Sequence, residues 1–236
     1  MKNFSLIEPI SIAERVANAL REKIISEDDG TYLGSEVDIA KTFGISSPTL
    51  RQATRLLEHE QILQIKPGKG GGYFTRRPNI ETVTNSAALF LVTRELTRKS
   101  VNDASDCLME ATTKAAITCK NSEQISQLQK FADFPKPAKA EKIVPEESRH
   151  DSQEFAILLA QMSDNIFFEI FARILYNEIY LSKYSKSFRM RDKELRRDIN
   201  LRSNLAKAIV AKDTDKALRI VKQRSNLFRN WPKFED

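Results

Sequence analysis

Leu33-Gly34-Ser35-Glu36-Val37-Asp38-Ile39-Ala40-Lys41-Thr42-Phe43-Gly44-Ile45-Ser46-Ser47-Pro48-Thr49-Leu50-Arg51-Gln52-Ala53 is the stretch that decides the fold. A short helix opening at Ser35 ends at Gly44, a tight turn follows, and a second helix opens at Ser46 or Ser47. Pro48 is tolerated in the first turn because the N–H it lacks would be unpaired there. Leu50, Ala53, Leu56 and Leu57 supply the inward stripe, which leaves Thr49, Arg51, Gln52 and Arg55 facing outward. Downstream, Gln61 to Gln64 and Tyr73-Phe74 read as short strands. They flank Lys66-Pro67-Gly68-Lys69-Gly70-Gly71-Gly72, a basic glycine turn. The pattern predicts a winged helix-turn-helix, which presents a helix N-terminus to a DNA major groove.

Upstream, Ser11-Ile12-Ala13-Glu14 is a capping box. Ile12, Val16, Leu20 and Ile24 then recur every four residues as one apolar face, closed by Asp28-Asp29-Gly30. Arg76-Arg77-Pro78 reads as a linker. Beyond it the chain reads as helix throughout: Ile80–Arg98, Asn102–Lys120, Ser122–Phe131, Glu146–Met162, Asn165–Tyr184, Ser187–Lys212 and Thr214–Asn230, the last capped by Asp213. The exception is Ala132 to Pro145, where Pro135, Pro137 and Pro145 enforce a loop. The expected fold class is mainly α. A winged helix-turn-helix fills residues 1–78, and an all-helical bundle for effector binding and dimerisation fills residues 79–236.

The 236 residues are 41% hydrophobic and 30% charged, enough for packed cores and a soluble surface. No apolar run reaches the length of a membrane helix, and the N-terminus lacks a signal-peptide pattern, so a cytoplasmic protein with no membrane partner is expected. Cys107 and Cys119 read as reduced thiols without a joint role. The net charge of +6 is compatible with nucleic acid. Acids and bases nearly balance over residues 1–78, so the DNA signal is local to Lys41, Arg51, Arg55, Lys66, Lys69, Arg76 and Arg77. No nucleophile–base pair is evident, and the glycine turn has no helix after it to make a phosphate loop. An enzyme is therefore not expected.

Residues 11 to 76 resemble the GntR superfamily of bacterial transcription regulators, in its FadR-like branch with an all-helical C-terminal (FCD-type) effector domain. The resemblance is carried by Glu14-Arg15-Val16-Ala17-Asn18-Ala19-Leu20-Arg21, Ser35-Glu36, Gly44-Ile45-Ser46, Leu50-Arg51-Gln52-Ala53 and the wing. It implies a homodimer bound to a double-stranded operator through Ser35, Ser46, Ser47, Thr49, Arg51, Gln52, Arg55, Lys66, Lys69 and Gly70. The chain departs from the family in three places. Val37 and Ser47 stand where relatives usually carry arginines, and Gly34 where they carry proline, which implies a different operator or weaker binding.

The C-terminal half resembles the same branch at Phe155, Leu159, Ala160, Ser163 and Asn165, and again at Ala208-Ile209, Lys212-Asp213 and Ala217. Family members commonly hold a metal there through an aspartate and three histidines. The matching positions here are Ser152, Ala156, Arg202 and Arg224; a shift of one would bring in Asp151 but put Phe155 at a histidine position. The chain has only His59 and His150, and His59 lies in the DNA-reading half. No metal and no cofactor are therefore expected. Arg202 and Arg224 would point inward and need neutralising. Three arrangements are open: a small anionic effector, an internal acid such as Asp106, or arginines that face water. Asp106, Ser152, Tyr176, Arg202 and Arg224 are the expected effector residues, with Asn177 and Tyr180 as further wall candidates. The leading expectation is a ligand-responsive homodimeric repressor sensing an acidic or acyl metabolite. The alternative is a regulator without small-molecule control, acting constitutively or through a protein partner.

Overall fold

The computed structural model describes residues 10–94, 96–134, 145–177 and 192–230, with no side-chain detail at 145 and 146. The contacts divide the chain into two units, one ending at Asn79 and the other starting at Ile80.

The first unit runs α1 (Ile12–Ser26), β1 (Tyr32–Gly34), α2 (Glu36–Phe43), α3 (Ser47–His59), β2 (Leu63–Lys66) and β3 (Gly72–Thr75). The Ser11 hydroxyl caps α1 by accepting from the Glu14 N–H at 3.1 Å, and the Ser11 N–H donates to the Glu14 carboxylate at 2.8 Å. The buried face of α1 is Ala13, Val16, Ala17, Leu20 and Ile24, while Ile12 is 55% exposed. The expected four-residue rhythm is thus corrected to an i, i+3, i+4 stripe, as a 3.6-residue helix requires. This face packs with Ile39, Ala40, Leu50, Ala53, Leu57, Leu63 and Tyr73 into one core.

The strands form an antiparallel sheet in the order β1-β3-β2. Leu63 pairs with Thr75 and Lys66 with Gly72, while Tyr32 pairs with Phe74 ahead of a register shift at Gly34. The second strand starts later than expected because Gln61 has φ 60°, a left-handed turn conformation that cannot continue a strand. The strand β1 is an addition to the two strands that the sequence predicts. Its three residues owe their extended form to β3, about forty positions away.

The second unit runs α4 (Ile80–Val92), α5 (Arg98–Ile117), α6 (Ser122–Ala132), α7 (Pro145–Gln161), α8 (Ile166–Leu175), α9 (Asp192–Val210) and α10 (Thr214–Arg229). The helix expected to run from Ile80 to Arg98 stops at Val92. Thr97 instead caps a new helix, accepting from the Ser100 N–H at 3.2 Å. After α9, Lys212 takes φ 56° and Asp213 caps α10 by accepting from the Lys216 N–H at 3.0 Å. Phe155, Leu159, Leu128, Leu205 and Ala217 lie at the centre of the helical core. Of the loop expected from Ala132 to Pro145, Ala132 ends α6, Pro145 opens α7, and residues 135–144 lie outside the described residues. The helix expected over Asn165–Tyr184 ends at Leu175, and residues 178–184 with Tyr180, together with the start of the helix expected from Ser187, lie outside them as well. Among the described residues no helix is long and apolar enough to cross a membrane.

Candidate DNA-reading face and buried arginine cluster

The turn between α2 and α3 is made by Gly44, whose φ of 61° is left-handed and whose N–H closes onto the Ala40 and Lys41 carbonyls. A serine caps each helix. Ser35 accepts from the Asp38 N–H at 3.2 Å and donates to the Asp38 carboxylate at 2.6 Å. Ser46 accepts from the Thr49 N–H at 3.4 Å, and its hydroxyl meets that of Thr49 at 2.9 Å. The caps fix where α3 begins, and that end carries the positive pole of the helix dipole.

On α3 the buried stripe is Leu50, Ala53, Thr54 and Leu57. Leu56, expected inside, is 42% exposed, and Thr54 takes its place by donating to the Arg51 carbonyl at 3.3 Å. The helix period puts 50, 53, 54 and 57 on one side and leaves 56 off it. Arg51, Gln52 and Arg55 are exposed, and Ser47 and Thr49 half-buried beside them. Arg51 is held: its Nε donates to the Glu36 carboxylate at 3.0 Å. The Arg51 hydrogen bond is the main cause that draws the Glu36 carboxyl below its ordinary range, and a hydrogen bond from Ser47 adds to it.

In the wing, Lys66 lies 4.3 Å from the centre of the Phe74 ring, which meets Tyr32 at 5.1 Å. Lys69 and Gly70 are exposed at the turn, where Gly70 takes φ 82°. Of the expected DNA-contacting residues, Ser46, Ser47, Thr49, Arg51, Gln52 and Arg55 therefore share the start of α3 and its outer face. Lys66, Lys69 and Gly70 share the wing, and Ser35 stands at the start of α2, which it caps as Ser46 caps α3.

In the helical unit, Arg202 on α9 and Arg224 on α10 are each 3% exposed, and between them lies Asp198, 2% exposed. Arg224 donates through Nε to Asp198 at 2.6 Å and through Nη2 to the Ser152 hydroxyl at 2.6 Å. Arg202 has Nε 3.3 Å from Asp198, Nη1 4.0 Å from Asp151, and an Nη2 bond to Ser148 at 3.3 Å. Its Nε is buried without a hydrogen-bond partner. One buried carboxylate thus serves two buried guanidiniums, and the sharing is unequal. Burial lowers Arg202 below its usual range; Asp198 works against this and the Arg224 charge with it. For Arg224 burial acts in the same direction and is the largest single influence, yet Asp198 and Tyr176 together outweigh it and the group is raised. The ring of Phe228 lies 5.3 Å from the Arg224 guanidinium carbon.

Asp106 does not reach this cluster. It accepts from Arg229 at 2.9 Å through Nε and lies on the water-facing side with Asp103. Arg202 and Arg224 are buried, which removes the water-facing arrangement. Asp198 was missed, although it stands four residues before Arg202, the spacing at which helix side chains meet. Tyr176 meets the Ser105 hydroxyl at 3.1 Å, and Asn177 donates to Asn85 at 2.7 Å. A metal does not fit these residues. Guanidinium nitrogens have no lone pair to offer and repel a cation. Among the described residues no three histidine, cysteine or acidic side chains come together.

A helix-turn-helix with a wing, followed by a helical unit, defines the class of DNA-reading regulators of transcription. Residues 12–71 match the family described as bacterial regulatory proteins, gntR family, so the N-terminal unit is a gntR-family domain and the protein a transcription regulator of that type. Among solved structures, the chain is similar to GntR of Streptococcus agalactiae, at 17% identity and a TM-score of 0.62, over 92% of this chain and 99% of that one. It also matches E. coli McbR/YncC at 16% identity and a TM-score of 0.37, over 92% and 95% of the two chains. The Streptococcus likeness is one of fold. A comparison with curated proteins gives no significant match.

Proposed function

We propose that the protein is a homodimeric repressor that binds an operator through α3 and the wing and releases it in response to a small anionic metabolite. The DNA-binding part rests on one observation: Arg51, Gln52 and Arg55 stand exposed on a helix whose start is fixed by a capped turn. Arginine and glutamine are the side chains that read base edges bidentately. The test is binding of the intact protein to duplexes selected from a random pool, with Arg51→Ala as comparison. Unchanged binding by that variant would falsify the assignment of α3 as the reading helix.

Dimerisation is supported by the apolar residues that α4 and α8 leave in water. Phe90 is 55% exposed, Phe167 65% and Phe171 52%, with Val83, Leu89 and Ile166 close to half. The two helices pack against each other. Three half-exposed phenylalanines offer roughly 300 Å² of apolar surface. With their neighbours the total reaches the upper end of what monomers leave exposed, about 600 Å². That is most of the ~800 Å² each partner of a stable complex buries. A second copy of this chain is the partner that a self-complementary apolar face suits.

The effector part rests on the buried cluster: two guanidiniums share one fully buried carboxylate, the second acid, Asp151, is partly exposed and 4.0 Å away, and the Arg202 Nε is without a hydrogen-bond partner. A carboxylate or phosphate ligand would complete that balance. The same geometry supports a second reading, in which Asp198 already suffices and the unit has lost small-molecule control. Native mass spectrometry of the gently purified dimer separates them. An added small-molecule mass that Arg202→Met abolishes supports the first, and a bare dimer whose DNA binding is unmoved by a panel of carboxylates supports the second.

A further inference from the structure

The surface pair Arg51–Glu36 places an acid on the face offered to a polyanion, an arrangement that works against affinity unless the acid has a task. Its geometry suggests one. Glu36 is the first residue of α2, and Arg51 lies on the outer side of α3, so the bond spans both helices of the reading motif. Glu36 is itself restrained by its place at the start of α2, directly after the Ser35 cap. Its side chain is 32% exposed against 62% for Arg51, so the better-fixed partner holds the freer one.

The bond uses Nε. A guanidinium has five N–H donors, and the other four lie on the two Nη groups. A guanidinium can meet a pair of acceptors through its Nε/Nη edge or its Nη/Nη edge. With Nε taken, only the second is left. That edge matches the O6 and N7 of guanine in the major groove. The carboxylate has a second effect: it repels phosphates, so it weakens binding wherever no guanine repays the approach.

We propose that Glu36 is the positioning residue of the DNA-reading face, holding Arg51 by Nε so that its Nη edge reads a guanine while its own charge penalises DNA that lacks one. This rests on the DNA-binding reading above and assigns the selectivity of that face to a residue that makes no base contact of its own.

The test uses the full-length protein, its Arg51→Ala, Glu36→Ala and Glu36→Gln variants, and a randomised duplex pool. Binding is then measured on the enriched duplex, on the same duplex with one base pair changed, and on unrelated DNA at several salt concentrations. The wild type is expected to enrich a motif with a G·C pair that Arg51→Ala no longer distinguishes. Glu36→Ala should lose roughly tenfold of discrimination at that pair and keep the rest of the motif, which shows the domain is folded. Glu36→Gln keeps an acceptor for Nε and should retain the preference. Both Glu36 variants should bind unrelated DNA several-fold more tightly, with a salt slope steeper by up to about one. A Glu36→Ala protein with wild-type discrimination overturns the proposal and leaves DNA binding standing. A wild type that enriches a motif indifferent to Arg51→Ala overturns it as well. A wild type that enriches nothing overturns the DNA-binding reading and this one together.

Discussion

A guanidinium paired with a carboxylate stands in each unit of this molecule under opposite conditions. In the N-terminal unit Arg51 and Glu36 are 62% and 32% exposed; in the helical unit Arg224 and Asp198 are 4% and 2% exposed. In water the pair gains little energy because solvent already satisfies both charges, so what it offers is direction. In the core neither charge has water, so the pair is held by the cost of separating it. An ion pair's role therefore follows from its burial: outside it aims a side chain, inside it binds the helices that carry it.

The sharpest way to break this comparison is to remove the inner carboxylate. Asp198→Asn leaves two buried guanidiniums facing each other and should cost about 3–5 kcal/mol in chemical denaturation. Replacing Asp198, Arg202 and Arg224 together by apolar residues of similar volume should come out near neutral or stabilising by about 1–4 kcal/mol. If that triple variant folds and represses but ignores every anion, the cluster serves sensing rather than stability.

Next in size is the apolar face. Phe167→Glu combined with Phe171→Glu should weaken self-association by roughly a hundredfold, read by sedimentation at micromolar protein, because charge in the centre of an apolar contact is left without solvent. At a protein concentration low enough that wild type and variant are both monomeric, the thermal midpoint should move little, since each ring is at least half exposed in the single chain. An unchanged dimer would place the interface elsewhere.

The outer pair is expected to separate aim from strength. Arg51→Ala should lower affinity for the selected duplex by roughly tenfold and leave the melting curve where it is. A comparable loss of stability would mean that the pair holds α2 against α3 after all.

The smallest effect belongs to the cap of α1. Ser11→Ala should cost about 1 kcal/mol. The Ser11 N–H bond is the main cause that holds the Glu14 carboxyl below its ordinary value. A depressed folded value means that Glu14 contributes above the ordinary carboxylate range, near pH 4, and loses this as pH falls through the lower folded value. The gap between wild type and Glu14→Gln should therefore close on acidification, which melts at pH 7 and pH 3 would show.

The reading head was legible in the sequence because its determinants are local. Ser11, Ser35, Ser46 and Gly44 each act within four residues of their partner, and a capped amphipathic stretch declares itself. The errors arose where a distant partner decides. Tyr32–Gly34 is a strand because Phe74 lies beside it. Leu56 and Thr54 exchange roles because the α1 and β-sheet contacts choose which side of α3 is buried. The inner cluster was half legible. Two arginines without histidines signalled a buried charge to be balanced, but the balancing acid was sought on α5. Which of several acids meets Arg224 depends on how α9 lies along α10, and no periodicity encodes that.

Gly34 joins β1 to the cap of α2 with φ +135°, and a Cβ there would stand 3.2 Å from the Ile39 side chain. Proline, which the resemblance expects at this position, is confined to φ near −65°. The two residues are therefore not exchangeable parts but ends of two different hinges leading into the same helix. Anyone grafting a relative's recognition helices onto this protein to retarget it must carry the donor's junction along, and the natural cut lies before Tyr32 rather than at Ser35.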